Sequence, residues 1–186
     1  MFKDKKDKRV KKITAQYLER AAAYYLSRFS SSSENLRRIL ERKVWRRVSL
    51  GAEKPDEVDQ WIDDVLAKFQ RMELLDDQQY AMVRAKNFQS KGRSLSRIKA
   101  ELNHKGIASE IVQQTLEKIN PDGDADFEAA LRLVRKKKLG NFATKTPTGK
   151  IEIAKLRQKH LAILARAGFS FDIAKNALDS NDDFND

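Results

Sequence analysis

The sequence contains no cysteine, and only three prolines, seven glycines and two histidines among its 186 residues. Without cysteine there are no disulfides and no thiolate metal ligands, which fits a reducing compartment. So few prolines and glycines leave little punctuation for sheets and tight turns, and an all-α chain is expected. No stretch approaches the roughly 18 consecutive apolar residues of a membrane helix. The basic N-terminus is not followed by the apolar segment of a signal peptide. The expected setting is cytoplasmic, with no membrane partner. Chemistry-bearing groups are equally scarce. His104 and His160 show no ligand spacing, and a surface or packing role is expected for both. Asp63–Asp64 and Asp76–Asp77 are adjacent pairs, and neighbours on a helix point in different directions. There is no glycine-rich phosphate cradle. No catalytic constellation, metal site or cofactor is expected, so the chain reads as a binding protein rather than an enzyme.

What the sequence has is positive charge. Its 38 lysines and arginines outnumber 27 acidic residues, giving a formal net charge of +11 and a pI near 9.8. Such a surface favours polyanions, either nucleic acid or an acidic protein face, although solubility alone also accounts for part of it. Residues 1–13 are a lysine-rich segment without apolar periodicity, expected to be a disordered basic tail. The last residues, 181–186, form an acidic tail.

Between the tails, apolar residues recur at helical spacing. Leu18, Ala22, Tyr25, Leu26 and Phe29 share one face of a first helix, expected from Gln16 to Phe29. Ser31 and Glu34 have the spacing of a capping box and open a second helix, with Leu36, Ile39, Leu40 and Val44 inward. Val58, Trp61, Ile62, Val65, Leu66 and Phe69 mark a third. Asp76 and Gln79 open a fourth, carrying Tyr80, Val83, Arg84, Ala85 and Phe88. Ser94 opens a fifth, with Leu95, Ile98 and Leu102 inward. Gly106 then provides the left-handed residue that ends helices cheaply. Ser109 is expected to cap a sixth helix, burying Val112, Leu116 and Ile119. Phe127, Ala130, Leu131 and Val134 open a seventh, an eighth covers Ile151 to Ala167, and Ser170 caps a ninth bearing Phe171, Ala174 and Leu178.

The fifth helix and the sixth form a helix–turn–helix pattern, but the pattern is not unique. "LNHKGIAS" and "LARAGFS" share their punctuation, with Gly106 and Gly168 separated by 62 residues, as are Leu102 and Leu164. The same step backwards lands on Leu40 and Val44, where the glycine is missing. Each helix of this set has one before it and one after. The expected organisation is three tandem three-helix repeats, residues 14–71, 72–120 and 121–180, forming an elongated, curved array. Each repeat is too small for a comfortable core of its own and covers its neighbour's apolar flank. The helices after Gly106 and Gly168 begin with Glu110 and Asp172, which suit a helix N-terminus and repel phosphate, so base-specific readout in a DNA groove is not expected.

Basic residues cluster on every repeat. The first carries Arg37, Arg38, Arg42, Lys43, Arg46 and Arg47; the second Arg84, Lys86, Lys91, Arg93, Arg97, Lys99 and Lys105; the third Arg135 to Lys138, Lys145, Lys150, Lys155, Arg157 and Lys159. Arg97 and Lys105 lie two turns apart, and Lys91 and Arg93 precede that helix, so a basic ridge through the middle repeat is one reading. An ordinary solvated face is the other.

The stretch "MELLDDQQYAMVRAKNFQSKGRSLSRIKAELNHKGI" resembles the middle repeat of the RecX family, bacterial regulators of the RecA recombinase. Leu75, Asp76, Tyr80, Gly92, Arg97, Ile98, Leu102, Lys105, Gly106 and Ile107 fill the family pattern. "LARAGFS" resembles the end of its third repeat. Val44 and Trp45 depart from the first. The resemblance implies a protein that lies in the groove of the RecA–single-stranded DNA filament, and a monomer is expected. There it lowers recombinase, ATPase and coprotease activity, and so modulates DNA repair and the SOS response. It places Arg84, Lys91, Arg93, Arg97 and Lys105 at the contact with RecA or DNA, with Arg37, Arg38, Arg157 and Lys159 as a secondary set. The alternative is a general basic protein that binds single- or double-stranded DNA without RecA specificity.

Overall fold

The computed structural model describes residues 12–144 and 147–180, so Lys145 and most of both tails lie outside the described residues. Every regular element there is helical: α1 (Ala15–Leu26), α2 (Ser33–Val48), α3 (Val58–Arg71), α4 (Asp77–Gln89), α5 (Leu95–His104), α6 (Ser109–Lys118), α7 (Ala125–Lys137), α8 (Lys150–Arg166) and α9 (Phe171–Asp179), with a single 3-10 turn at Gly140–Phe142. By compactness the chain divides into two units, Met1–Tyr80 and Ala81–Asp186.

In the first unit α1, α2 and α3 pack mutually around Leu18, Leu36, Leu40, Val58 and Ile62, with Phe69 and Leu75 closing the core. The cap of α2 falls one residue later than the capping-box spacing suggests. Ser32 Oγ accepts from Asn35 N at 3.2 Å, while the Ser31 hydroxyl donates to the Ser32 carbonyl and accepts from Asn35 Nδ2 at 2.8 Å. Glu34 turns to Arg38 instead of reaching back to the backbone. At the next free amide, Ser33 N donates to Asp77 Oδ1 at 2.8 Å. Asp76 caps α4 as expected, accepting from Gln79 N at 2.8 Å.

The second unit joins the rest of α4 with α5 to α9. Ile98, Leu102 and Val112 are fully buried, and Ala130, Val134, Leu164, Phe169, Ala177 and Leu178 form the core of α7, α8 and α9. The device at Ser33 recurs here: Leu95 N, at the same place on α5, donates to Asp126 Oδ1 at 2.6 Å. Burial raises the Asp126 pKa, and the amide works against that shift. Gly168 sets the approach of α8 to α5. Its φ of +94° is left-handed, and a Cβ there would lie 2.4 Å from Ser94 Oγ.

Two expectations fail locally. Ser109 lies inside the first turn of α6; Ala108 is the cap residue and supplies no side-chain bond. Phe29 is past the end of α1, where helical geometry no longer carries it inward, and it is exposed beside Tyr25. Val83 and Phe171 also face solvent, because α4 buries Ala81 and Ala85 instead and Phe171 opens α9 one step ahead of its buried stripe.

Candidate anion-binding cleft

The second unit contains a cleft of about 420 Å³ between the start of α5 and the ends of α7 and α8. Its first wall is built by the turn after α4. Gly92 takes φ +71° and sits so close to α7 that a Cβ would lie 3.3 Å from the Ala129 carbonyl oxygen. That turn projects Lys91 and Arg93 on either side of it. Ser94 then caps α5, its hydroxyl accepting from Arg97 N at 3.2 Å and donating to the Ala167 carbonyl at 3.0 Å. Ser96 donates to the Gly168 carbonyl at 2.9 Å. The cap of α5 is therefore bolted to the C-terminus of α8, which fixes Arg97 opposite Arg166 and Ala167.

Five cations line this cleft: Lys91, Arg93, Arg97, Lys137 and Arg166, over an apolar floor of Leu133, Ile163 and Ala167. Among the described residues no acid lines it. Glu101, one turn beyond Arg97 on α5, pairs with Arg93 Nη1 at 3.3 Å and Arg97 Nε at 3.8 Å. Arg93 is also held over the Phe88 ring, 5.2 Å from its centroid. Lys91, Lys137 and Arg166 have no ion pair among the described residues. Like charges converging over low-dielectric walls raise the local potential and concentrate anions. The arrangement suits phosphate or carboxylate groups, because the arginines present paired N–H donors and the lysines act as point charges.

Of the residues singled out from sequence, Lys91, Arg93 and Arg97 come together here. Arg84 does not line the cleft; it is half-buried with its guanidinium 5.3 Å from the same Phe88 ring. Lys105 is the C-cap of α5, eight residues and so about 12 Å along the helix from Arg97. Arg37 and Arg38, in the first unit, bond Asp63 and Glu34. Arg157 makes a bidentate pair with Asp179 at 2.7 and 2.8 Å, which raises its own pKa and lowers that of the carboxylate. Lys159 is exposed on a separate surface of α8 that also carries Glu152. Sequence reasoning counted Lys137 only as part of a basic run and passed over Arg166. Nothing local marks either residue, since their role comes from the docking of Gly168 on Ser94. Among the described residues no group of three or more His, Asp or Glu could hold a metal ion, and no helix is long and apolar enough to cross a membrane.

Residues 76–116, which span α4, α5 and most of α6, match the family described as RecX, second three-helix domain. The regulatory protein RecX of Myxococcus xanthus is 37% identical over 180 residues, covering 96% of this chain and 93% of its own. The chain belongs to the RecX family. The regulatory protein RecX of Salmonella paratyphi A is 32% identical across 70% of this chain and 78% of its own. The crystal structure of RecX from Lactobacillus salivarius superposes with a TM-score of 0.64 at 21% identity, covering 88% of this chain and 94% of that one, and shows the same all-α RecX fold. Lys91, Arg93 and Arg97 lie within the matched RecX domain, whereas Lys137 and Arg166 lie outside it.

Proposed function

We propose that this protein regulates RecA by seating itself in the groove of the RecA–single-stranded DNA filament and lowering its ATPase, recombinase and coprotease activities. The observation that carries the reading is the cleft: five cations, from the turn before α5 and from α5, α7 and α8, converge with no lining acid among the described residues, in a chain whose relatives are named regulatory protein RecX. Anionic groups of the filament enter the cleft and hold the protein across it. This reading gives Lys91, Arg93 and Arg97 of the middle repeat a place in a shaped site, together with Lys137 and Arg166 of the third.

The test is ATP hydrolysis by preformed RecA filaments as the protein is titrated in, beside an unrelated ATPase that also depends on single-stranded DNA. The expected result is loss of RecA turnover at substoichiometric protein, with the second enzyme unaffected. Equal loss in both, only at concentrations that coat the strand, identifies a general DNA-binding protein instead. The net charge of +11 favours that second reading. It predicts inhibition that falls with salt in step with naked-DNA affinity, with a log–log slope of about −0.7 per phosphate contact on a single strand.

A further inference from the structure

The first repeat lacks the glycine of the other two, and the consequence is visible in α2. In α5 and α8 the helix stops two residues before Gly106 and Gly168, both at positive φ. The apolar residue after each glycine, Ile107 or Phe169, turns back into the core and is only 4% or 5% exposed. At the equivalent place α2 has Val44, which keeps helical geometry, and the helix runs on to Val48. Trp45, equivalent to those two buried residues, is thereby carried onto the outer face and is 67% exposed. A large aromatic side chain so displaced adds nothing to the core of α1, α2 and α3.

Its surroundings are basic. Arg42 lies one turn before Trp45 and Arg46 directly after it, and the two arginines stand at i and i+4 on the exposed side of the helix. Neither makes an ion pair among the described residues. Arg38 extends the ridge but holds Glu34; Glu41 is the one acid beside the ring, on the side away from Arg46. A flat indole beside guanidinium groups matches an unstacked base beside its phosphates, and a duplex hides its base faces from such a ring.

We propose that the outer face of α2, with Trp45 as a stacking platform and Arg42 and Arg46 as phosphate contacts, binds single-stranded nucleic acid. The site lies in the first unit and is independent of the basic cleft and of RecA. Trp45 is also its own reporter, because the second tryptophan, Trp61, is packed against the core of that unit.

The experiment uses the full chain without RecA. Trp61→Phe leaves Trp45 as the sole indole, and its emission is followed during titration with oligo(dT), an abasic strand of equal length and inorganic polyphosphate. Quenching by oligo(dT), and much weaker quenching by the two base-free polymers, is expected. Trp45→Ala, read by the anisotropy of a dye-labelled oligo(dT) and by competition with polyphosphate, should weaken oligo(dT) binding about 5- to 150-fold, the range for losing one stacking contact, with polyphosphate binding and helical content unchanged and Trp45→Phe largely restoring affinity. Arg42→Glu with Arg46→Glu should weaken both ligands. Unchanged oligo(dT) affinity in Trp45→Ala, or equal quenching by all three polymers, would overturn the proposal and leave the exposed ring to a protein partner.

Discussion

His160 illustrates what a single residue does in this fold. It is 9% exposed on α8, and its Nδ1 accepts from Gly140 N at 3.0 Å. Accepting requires the unprotonated nitrogen, and burial lowers the pKa below the ordinary histidine value. The sign follows from proton counting. Below about pH 6.5 the unfolded chain takes up a proton that the folded one resists. The stabilisation is therefore complete above that pH and is lost as pH falls through the lowered folded value. Thermal unfolding between pH 5 and 8 should show a midpoint that drops on the acid side, and a flatter profile in His160→Asn. An identical acid-side drop in the variant would remove His160 from the account. Sequence reading left a surface or packing role for this residue and could not name its partner, because Gly140 lies 20 positions away and meets it only through the fold. The cations of the cleft behave likewise. Their identities were plain in the sequence, but which of them converge depends on tertiary contacts.

At the scale of elements, the strongest sequence signal was the 62-residue recurrence. It aligns Ser32 with Ser94, both of which are caps in the structure, whereas the local capping-box spacing pointed to Ser31. It also aligns Ser33 with Leu95, the two amides that receive an aspartate from the following repeat's first helix. A backbone donor satisfied this way is invisible to pattern reading, because the acceptor lies 31 or 44 residues on. Asp126→Ala should cost about 1 kcal/mol, the usual loss for a helix-end bond. Asp126→Asn keeps an acceptor oxygen and removes the burial cost of the charge, so it should unfold no earlier than the parent in urea. A loss in Asn equal to that in Ala would mean that the charge, not the bond, matters. Gly168→Ala forces a side chain into a left-handed residue, costing about 1–2 kcal/mol before its clash with Ser94 is counted. It should also weaken anion binding by loosening the α5–α8 wall. Unchanged stability would show that this wall has slack. The same recurrence marked the glycine missing at Val44 but not its consequence: α2 continues to Val48, so the exposure of Trp45 could not be read from the pattern of its siblings.

On the scale of the whole molecule, the charge of +11 says that polyanions are attracted but not where they bind. The all-α class, the order of the helices and most of the buried stripes were legible from periodicity and punctuation. The cleft was legible by half, since one wall is continuous in sequence and the other is brought in by α7 and α8. Whether regulation runs through that cleft is the central question, and one comparison addresses it directly. Lys91→Glu, Lys137→Glu and Arg166→Glu together reverse the three cleft cations that make no ion pair among the described residues. Lys86→Glu, Lys99→Glu and Lys118→Glu change the net charge by the same amount at exposed positions outside the lining. Inhibition of the ATPase of preformed RecA filaments should be lost or weakened at least tenfold in the cleft variant, a loss of about 1.4 kcal/mol or more. The surface variant should inhibit nearly as well as the parent at moderate salt. Equal weakening in the two variants would mean that bulk charge, not the cleft, carries the interaction.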